Sequence, residues 1–423
     1  MNSPENVLRS LRVAHGYRSQ QALADALNAA ANEIGLRVQI TDRTVRRWES
    51  PAPPWPQAEH ARTLEALFGR PITELGFTPV RQSGGDVPPL RSGQQETWAA
   101  RHGGAGTGSL PASVASEFMQ ATTAYRRMYW SVPAARLERL VAEHAALGWD
   151  LMHQIPGASR SLMARAVAEA ALTAGRLEFF DLQQPEEAQP SFALALQAAA
   201  EAGDHLLGGA ALAHMAFAPA FAADAERVDV RSEEARDKMQ AARAFVSRGE
   251  PSAEMLAWLD AVEAEVETRF DNPGRALELI EHAEQCYAEY DPEKGPSPVW
   301  LDWFSPARLA GFKGNTLIAA GRGQAAHETL QHVLAELPAE AIKQRAVVLA
   351  DLAAAAVLER DPAQACAYLD EALKLLGDHW YATAMDRVKA VRRSLREWDS
   401  LPQVRALDGQ LYNWHTMIRS IAR

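Results

Sequence analysis

The residues best placed to do chemistry lie between Thr41 and Glu49, in the run Thr-Asp-Arg-Thr-Val-Arg-Arg-Trp-Glu. Thr41 is a capping hydroxyl ahead of a helical pattern in which Val45 and Trp48 share one face. Burying that face turns Asp42, Arg43, Arg46 and Arg47 outward. A guanidinium can bond both acceptors of guanine, and a carboxylate such as Asp42 can accept from cytosine. The earlier run Ser19–Leu27 has the same form: Ser19 caps, and Leu23 and Leu27 share a face. Packed face to face, the two helices make a unit in which one spans a nucleic-acid backbone and the other presents side chains to the major groove.

These residues resemble the helix-turn-helix of the phage-repressor (Xre) family, in which an opening Ser-Gln and a closing Arg-Trp-Glu recur. The resemblance implies that Gln20 contacts DNA from the start of the second helix. It implies that Asp42, Arg43 and Arg47 reach base edges, with Thr44 and Arg46 near the backbone. Arg9 and Arg12 on the first helix are candidate phosphate contacts. The chain departs from the family in the 13 residues Asn28–Ile40, where a short turn is usual. Ala29–Ile34 reads as an extension of the second helix, with a break at Gly35. Ser50-Pro51 also follows Glu49 where Gly is common.

A second group of residues, Trp300-Leu301-Asp302-Trp303-Phe304 with Arg308, Lys313 and Asn315, admits two readings. In one, Trp300, Asp302, Arg308 and Asn315 line a groove that holds an extended peptide by its amides. In the other, the tryptophans fill a core and the polar residues form a solvated face. Catalytic templates are absent. There is no HExxH and no phosphate loop, and Gly311-Phe312-Lys313-Gly314 is too short to cradle a phosphate. Glu328 and His332 stand one helical turn apart without a further ligand, and Cys286 and Cys366 lie 80 positions apart outside any Cys/His cluster. No enzyme, metal site or cofactor is expected, and Cys366 is expected to be buried and inert.

The elements that must position these residues follow from composition. Of 423 residues, 47% are hydrophobic and only 7% aromatic, so the core must be aliphatic and Ala-based. Residues 1–80 hold nine arginines, no lysine and eight acids, a net +1, whereas the remainder holds 34 basic and 46 acidic residues, a net −12. Only the first region can readily meet phosphate. Arg81–Pro111 is rich in Gly and Pro and reads as a flexible linker. From Ala112 onward the chain is almost continuously helix-forming; only Leu36–Ile40 alternates, and it is too short for a sheet. Met1–Arg12 has no apolar stretch, and the uncharged run His205–Ala223 reads as a buried helix. No secretory signal or membrane span is expected, and a cytoplasmic location fits the two cysteines.

The long region repeats itself. Ala, a large apolar residue at plus four and a small one at plus seven recur as Ala188/Phe192/Ala195, Ala235/Met239/Ala242, Ala276/Ile280/Ala283, Ala326/Leu330/Val333 and Ala365/Leu369/Ala372. Each triplet lies on one helical face, and each interval holds a second helical pattern. Two helices per unit describe an α-solenoid of tetratricopeptide type. The expected fold is therefore all-α: a helix-turn-helix domain over 1–80, a linker over 81–111, and a solenoid over 112–423.

The whole chain resembles actinobacterial regulators that join an Xre-type domain to tetratricopeptide-like repeats. The match runs through Thr44–Glu49, Trp55-Pro56, Leu64–Gly69 into Glu74–Phe77, then Trp303-Phe304, Arg308–Gly311, Leu349–Ala356 and Ala365-Cys366. It implies transcriptional control of double-stranded DNA through a two-fold operator, with repeats that sense a peptide, small molecule or protein. A two-fold operator implies a homodimer, and the aromatic C-terminus (Trp380, Tyr381, Trp398, Leu411, Tyr412, Trp414) suits an end cap or a dimer surface. A flexible linker transmits orientation poorly, so ligand coupling requires the repeats to dock on the N-terminal domain. The competing expectation is a protein-interaction scaffold whose N-terminal domain no longer binds DNA.

Overall fold

The computed structural model describes residues 7–33, 36, 38–50, 53, 56, 58–68, 70, 72–75, 77, 110–222 and 227–421. Most of the expected linker, 81–109, lies outside the described residues, as do Gly35, Trp55, Gly69 and Gly76. The regular secondary structure among the described residues is all helical, and none of the described residues of Leu36–Ile40 lies in a strand. The chain divides into two compact units, Met1–Gly104 and Ala105–Arg423.

The first unit holds α1 (Val7–Ala14), α2 (Gln20–Glu33), α3 (Asp42–Trp48), α4 (Ala58–Phe68) and a 3-10 turn, Ile72–Leu75. Ser19 caps α2, its hydroxyl accepting from the Ala22 amide at 3.0 Å. Thr41 caps α3 through the Thr44 amide at 3.4 Å. Leu8, Leu23, Leu27, Val45, Leu64 and Phe77 form one core. Trp48 meets the rings of His60 and Phe77 edge-on at 5.6 and 6.1 Å. α2 continues through Ala29–Asn32, as the Ala run predicts. The long turn after it is closed by Asn28, whose amide donates to the Ile40 carbonyl and accepts from the Ile40 amide, both at 2.8 Å.

The second unit begins with α5 (Ser113–Met128), α6 (Ala134–Met152) and α7 (Gly157–Arg176), the last running into a π-helical turn, Leu177–Asp181. There follow α8 (Pro185–Ala202), α9 (His205–Met215), α10 (Phe217–Phe221), α11 (Val228–Val246), α12 (Ala253–Arg269), α13 (Pro273–Ala288), α14 (Pro306–Ala319) and α15 (Gly323–Glu336). The last are α16 (Ile342–Leu358), α17 (Pro362–Asp378), α18 (Ala382–Ser394) and α19 (Pro402–Ile421). Antiparallel pairing dominates: α7 packs on α8, α9 on α11, α12 on α13, α14 on α15 and α16 on α17.

The five repeated triplets fall on the second helix of each pair, on α8, α11, α13, α15 and α17. All fifteen side chains are at most 2% exposed. Small residues at the first and last positions let the partner helix come close, while the middle residue fills the space between.

Four of the pairs share one turn. Gln183, Asp271, Gly321 and Arg360 all take left-handed φ angles, of 55, 55, 72 and 60°. The following amide then returns to the first helix: Asn272 to Glu267, Arg322 to Leu317 and Asp361 to Ala356, at 2.9–3.0 Å, five residues back. Gln184 reaches six back, to Glu178, because the π turn inserts one residue. Pro185, Pro273 and Pro362 then open the second helices, where a missing N–H carries no penalty. In all four, the triplet alanine sits four residues after the capping residue and donates to its carbonyl at 3.0–3.1 Å. Turn and buried face thus stay in register.

Candidate functional site

On α3 the buried Val45 and Trp48 place Arg43, Arg46 and Arg47 on the exposed face, with Asp42 and Thr44 half-buried beside them. Arg46 leans back, donating to Gln20 Oε1 at 3.2 Å and to Asp42 Oδ2 at 3.5 Å. The guanidinium groups of Arg43 and Arg47 make no hydrogen bond or ion pair with the described residues. Arg9 is exposed on α1.

Arg12 does not stand with them. It is 8% exposed, and its Nε donates to Glu49 Oε1 at 2.6 Å while Nη1 donates to the Tyr17 carbonyl at 3.0 Å. The expected phosphate contact is instead an internal tie, because burial beside a carboxylate uses up the charge. Gln20 is similarly shared: its amide nitrogen donates to Glu49 Oε2 at 2.9 Å. Glu49 therefore fastens the end of α3 to α1 and to the start of α2. Asn28 fastens the beginning of α3, and sequence reasoning gave it no role. The signal was there in hindsight, since an Asn in mid-helix has spare bonding capacity to place.

In the second unit, a cavity opens among the first helices of the pairs, lined by α7, α9, α10, α12, α14, α16 and α18. Of the four expected groove residues, Arg308 lines it, its guanidinium 5.4 Å from the Phe312 ring centre. The other three do not. Trp300 is a core side chain, stacked at a tilt 5.5 Å from Trp303. Asp302 accepts from Arg126 Nε at 3.0 Å. Asn315 lies between Glu265 and Arg387, at 3.3 Å from each.

The cavity wall also carries charges that periodicity did not reveal. Arg387 pairs with Asp351 and with Glu265 at 3.2 Å, and Arg269 reaches Glu265 at 3.0 Å. Burial opposes the charge on Glu265, but Arg387 and Arg269 outweigh it and hold the carboxyl below its ordinary value. Behind the wall, Lys343 pairs with Asp181 and donates to the Tyr129 carbonyl at 2.7 Å, while the Tyr129 hydroxyl donates to Asp181 at 2.8 Å. Burial pushes Lys343 down and Asp181 up, each restrained by the other. His214 packs against Phe192, Trp258 and Trp303. Burial, and then the nearby Arg176, push its imidazole down to about 3, so it is neutral at ordinary pH. Its Nδ1–H donates to the Ala210 carbonyl at 2.8 Å.

Contrary to the sequence expectation, Cys286 does stand in a Cys/His cluster: Asp260, drawn in from a neighbouring helix, and His282 bring their ligand atoms and its own within 4.8 Å of one another. Arg243 already sits 2.6 Å from Asp260 Oδ1, a fixed cation that an incoming metal would have to displace. Glu328 and His332 form no such cluster among the described residues, and His332 pairs with Glu336 at 3.1 Å. No helix among the described residues is long and apolar enough to cross a membrane, and both cysteines are free thiols, Cys366 buried. Comparison with protein-family models finds none that matches the chain, and comparison with curated proteins finds none that matches it either.

Proposed function

We propose that the chain is a DNA-binding transcriptional regulator in which α2 and α3 act as an Xre-type helix-turn-helix and the second unit is a tetratricopeptide-like α-solenoid that receives a signal. One observation carries the first half. Arg43 and Arg47 project from α3 without partners among the described residues, while Glu49 and Asn28 tie down both ends of the segment that bears them. Two guanidinium groups held ready on a fixed helix suit guanine edges, and Thr44 and Arg46 suit the flanking phosphates. The four registered turns and five buried triplets support the solenoid reading. Two-fold operators and a homodimer follow from the same reading.

The test is immunoprecipitation of the full chain with sequencing of bound DNA, repeated with Arg43→Ala and Arg47→Ala together. Enriched sites that vanish in the double variant are expected. On a purified site each single change should weaken binding by about 1–3 kcal/mol, with a steep fall in affinity as salt rises. No enriched site in the native protein, or sites that persist in the double variant, would overturn the proposal and favour a scaffold. A monomer mass in sedimentation at micromolar protein would remove the dimer.

A further inference from the structure

The cavity of the second unit has an uneven charge balance. Glu265 and Asp351 are taken up by Arg387, Arg269 and Asn315, and Asp181 by Lys343 and Tyr129. His214 contributes no charge. Arg176 and Arg308 remain, two cations on the wall with no carboxylate among the described residues at ion-pair distance, although Arg176 helps hold Asp181 down and Arg308 helps hold Glu265 down from farther off. This excess sits inside a region, residues 81–423, whose net charge is −12.

Arg176 is the informative one. It is 7% exposed, and its guanidinium lies 4.5 Å from the ring centre of Tyr129 and 4.3 Å from that of Trp303. Those contacts occupy its faces. Its five N–H donors find no acceptor among the described residues, and its nitrogens are not among the wholly enclosed polar atoms, so they face the open space of the cavity. The neighbouring Trp303 Nε1–H also lacks an acceptor, but it is wholly enclosed behind the wall. Arg176 therefore lacks a hydrogen-bond partner beside a cavity whose remaining wall includes Phe180, Phe217, Trp258 and Phe312.

We infer that this cavity binds a small organic carboxylate, its acceptor-only head bonded by the Arg176 guanidinium and its apolar body packed on the aromatic wall. A carboxylate accepts from a guanidinium fork and adds no donor that the site would have to satisfy. A phosphate dianion would bring more charge and more acceptor oxygens than one guanidinium fork can serve. The cavity holds about 90 Å³, less than the roughly 150 Å³ that encloses a benzene ring, and so takes a short acid of on the order of four to six heavy atoms. A free acid of that size fits better than a peptide chain. That this acid is the signal rests on the regulator reading above; its binding does not.

The experiment measures binding by calorimetry on the full chain without DNA. The probes are propionate, butyrate, the uncharged butyramide, inorganic phosphate and a free-acid dipeptide, N-acetyl-leucyl-phenylalanine. The expected result is a sub-millimolar Kd for at least one of the two small acids, with the amide and phosphate at least tenfold weaker. Arg176→Gln should bring the acid to the level of the amide, and Arg176→Lys should recover only part of the loss. Equal binding of acid and amide, tighter binding of phosphate or of the dipeptide, or no binding by either acid would each overturn the inference. If Arg176→Gln fails to fold, the acid–amide comparison on the native chain and on Arg308→Gln decides instead. A chain that binds the acid but enriches no DNA site keeps the cavity and loses the regulator. The reverse pattern does the opposite.

Discussion

Replacing Glu49 with alanine removes the carboxylate to which α1, α2 and α3 are all tied. Arg12 and Glu49 are 10% and 4% exposed at their side chains and meet at 2.6 Å. After truncation Arg12 keeps only the Tyr17 carbonyl at 3.0 Å, and Gln20 loses its acceptor. Breaking a buried pair from one side leaves an uncompensated charge and costs about 3–5 kcal/mol. A unit of about 60 described residues has about 3–9 kcal/mol of stability in total. The substitution should therefore unfold a large fraction of the first unit while leaving the second intact.

Removing both charges, with Arg12→Met and Glu49→Leu, should return stability to within about 1 kcal/mol of native. Hydrogen-exchange mass spectrometry on the full chain reads the two units separately through peptides of α2–α3 and of α7–α8. If Glu49→Ala lowers protection of α2 and α3 by less than about 1 kcal/mol, the tie is no stronger than a surface pair and the reasoning fails.

Three further outcomes follow from the second unit. The His214 imidazole is held down to about 3, by burial first and then by Arg176, so below about 6.5 the unfolded chain takes up a proton that the folded chain refuses. Stability should fall by about 1.4 kcal/mol per pH unit from 6.5 toward 3. His214→Asn should flatten that slope in urea midpoints, and equal slopes would count against a buried neutral ring. A methyl at Gly209 would meet the Val246 side chain, and the Ala242 carbonyl at 3.0 Å. Gly209→Ala should therefore lose about 1–3 kcal/mol to overpacking despite its better helix propensity, a loss read as a lower urea midpoint. Asp271 is exposed with φ of 55°. Asp271→Gly should gain up to about 1 kcal/mol by relieving a left-handed L-residue, and a lower midpoint would refute that strain.

The parts of this fold that were legible are those written in helical periodicity. The five triplets and the Val45/Trp48 face could be read because spacing alone says which residues share a side. What stayed hidden depends on meetings between distant segments. Arg12 looks like a surface cation until Glu49, 37 positions away, is found beside it. The Arg387 cluster draws Glu265, Asn315 and Asp351 from three other helices with no common pattern. Three of the four shared turns carry Gln183, Asp271 or Arg360 where glycine would have announced a left-handed residue. Trp300 misled for a related reason, since a tryptophan's type suits a binding wall and a core equally well.

The alanine seams bear on how the molecule can move. Ala198, Ala199, Ala210, Ala211 and Ala213 on α8 and α9 are all fully enclosed. A methyl group has no torsion to reset, so a seam made of them cannot absorb a displaced neighbour by reshuffling side chains. A push on one helix passes whole to the next, as between meshed gears, and the bending is left to the loops that join them. Such a stack trades local give for long reach.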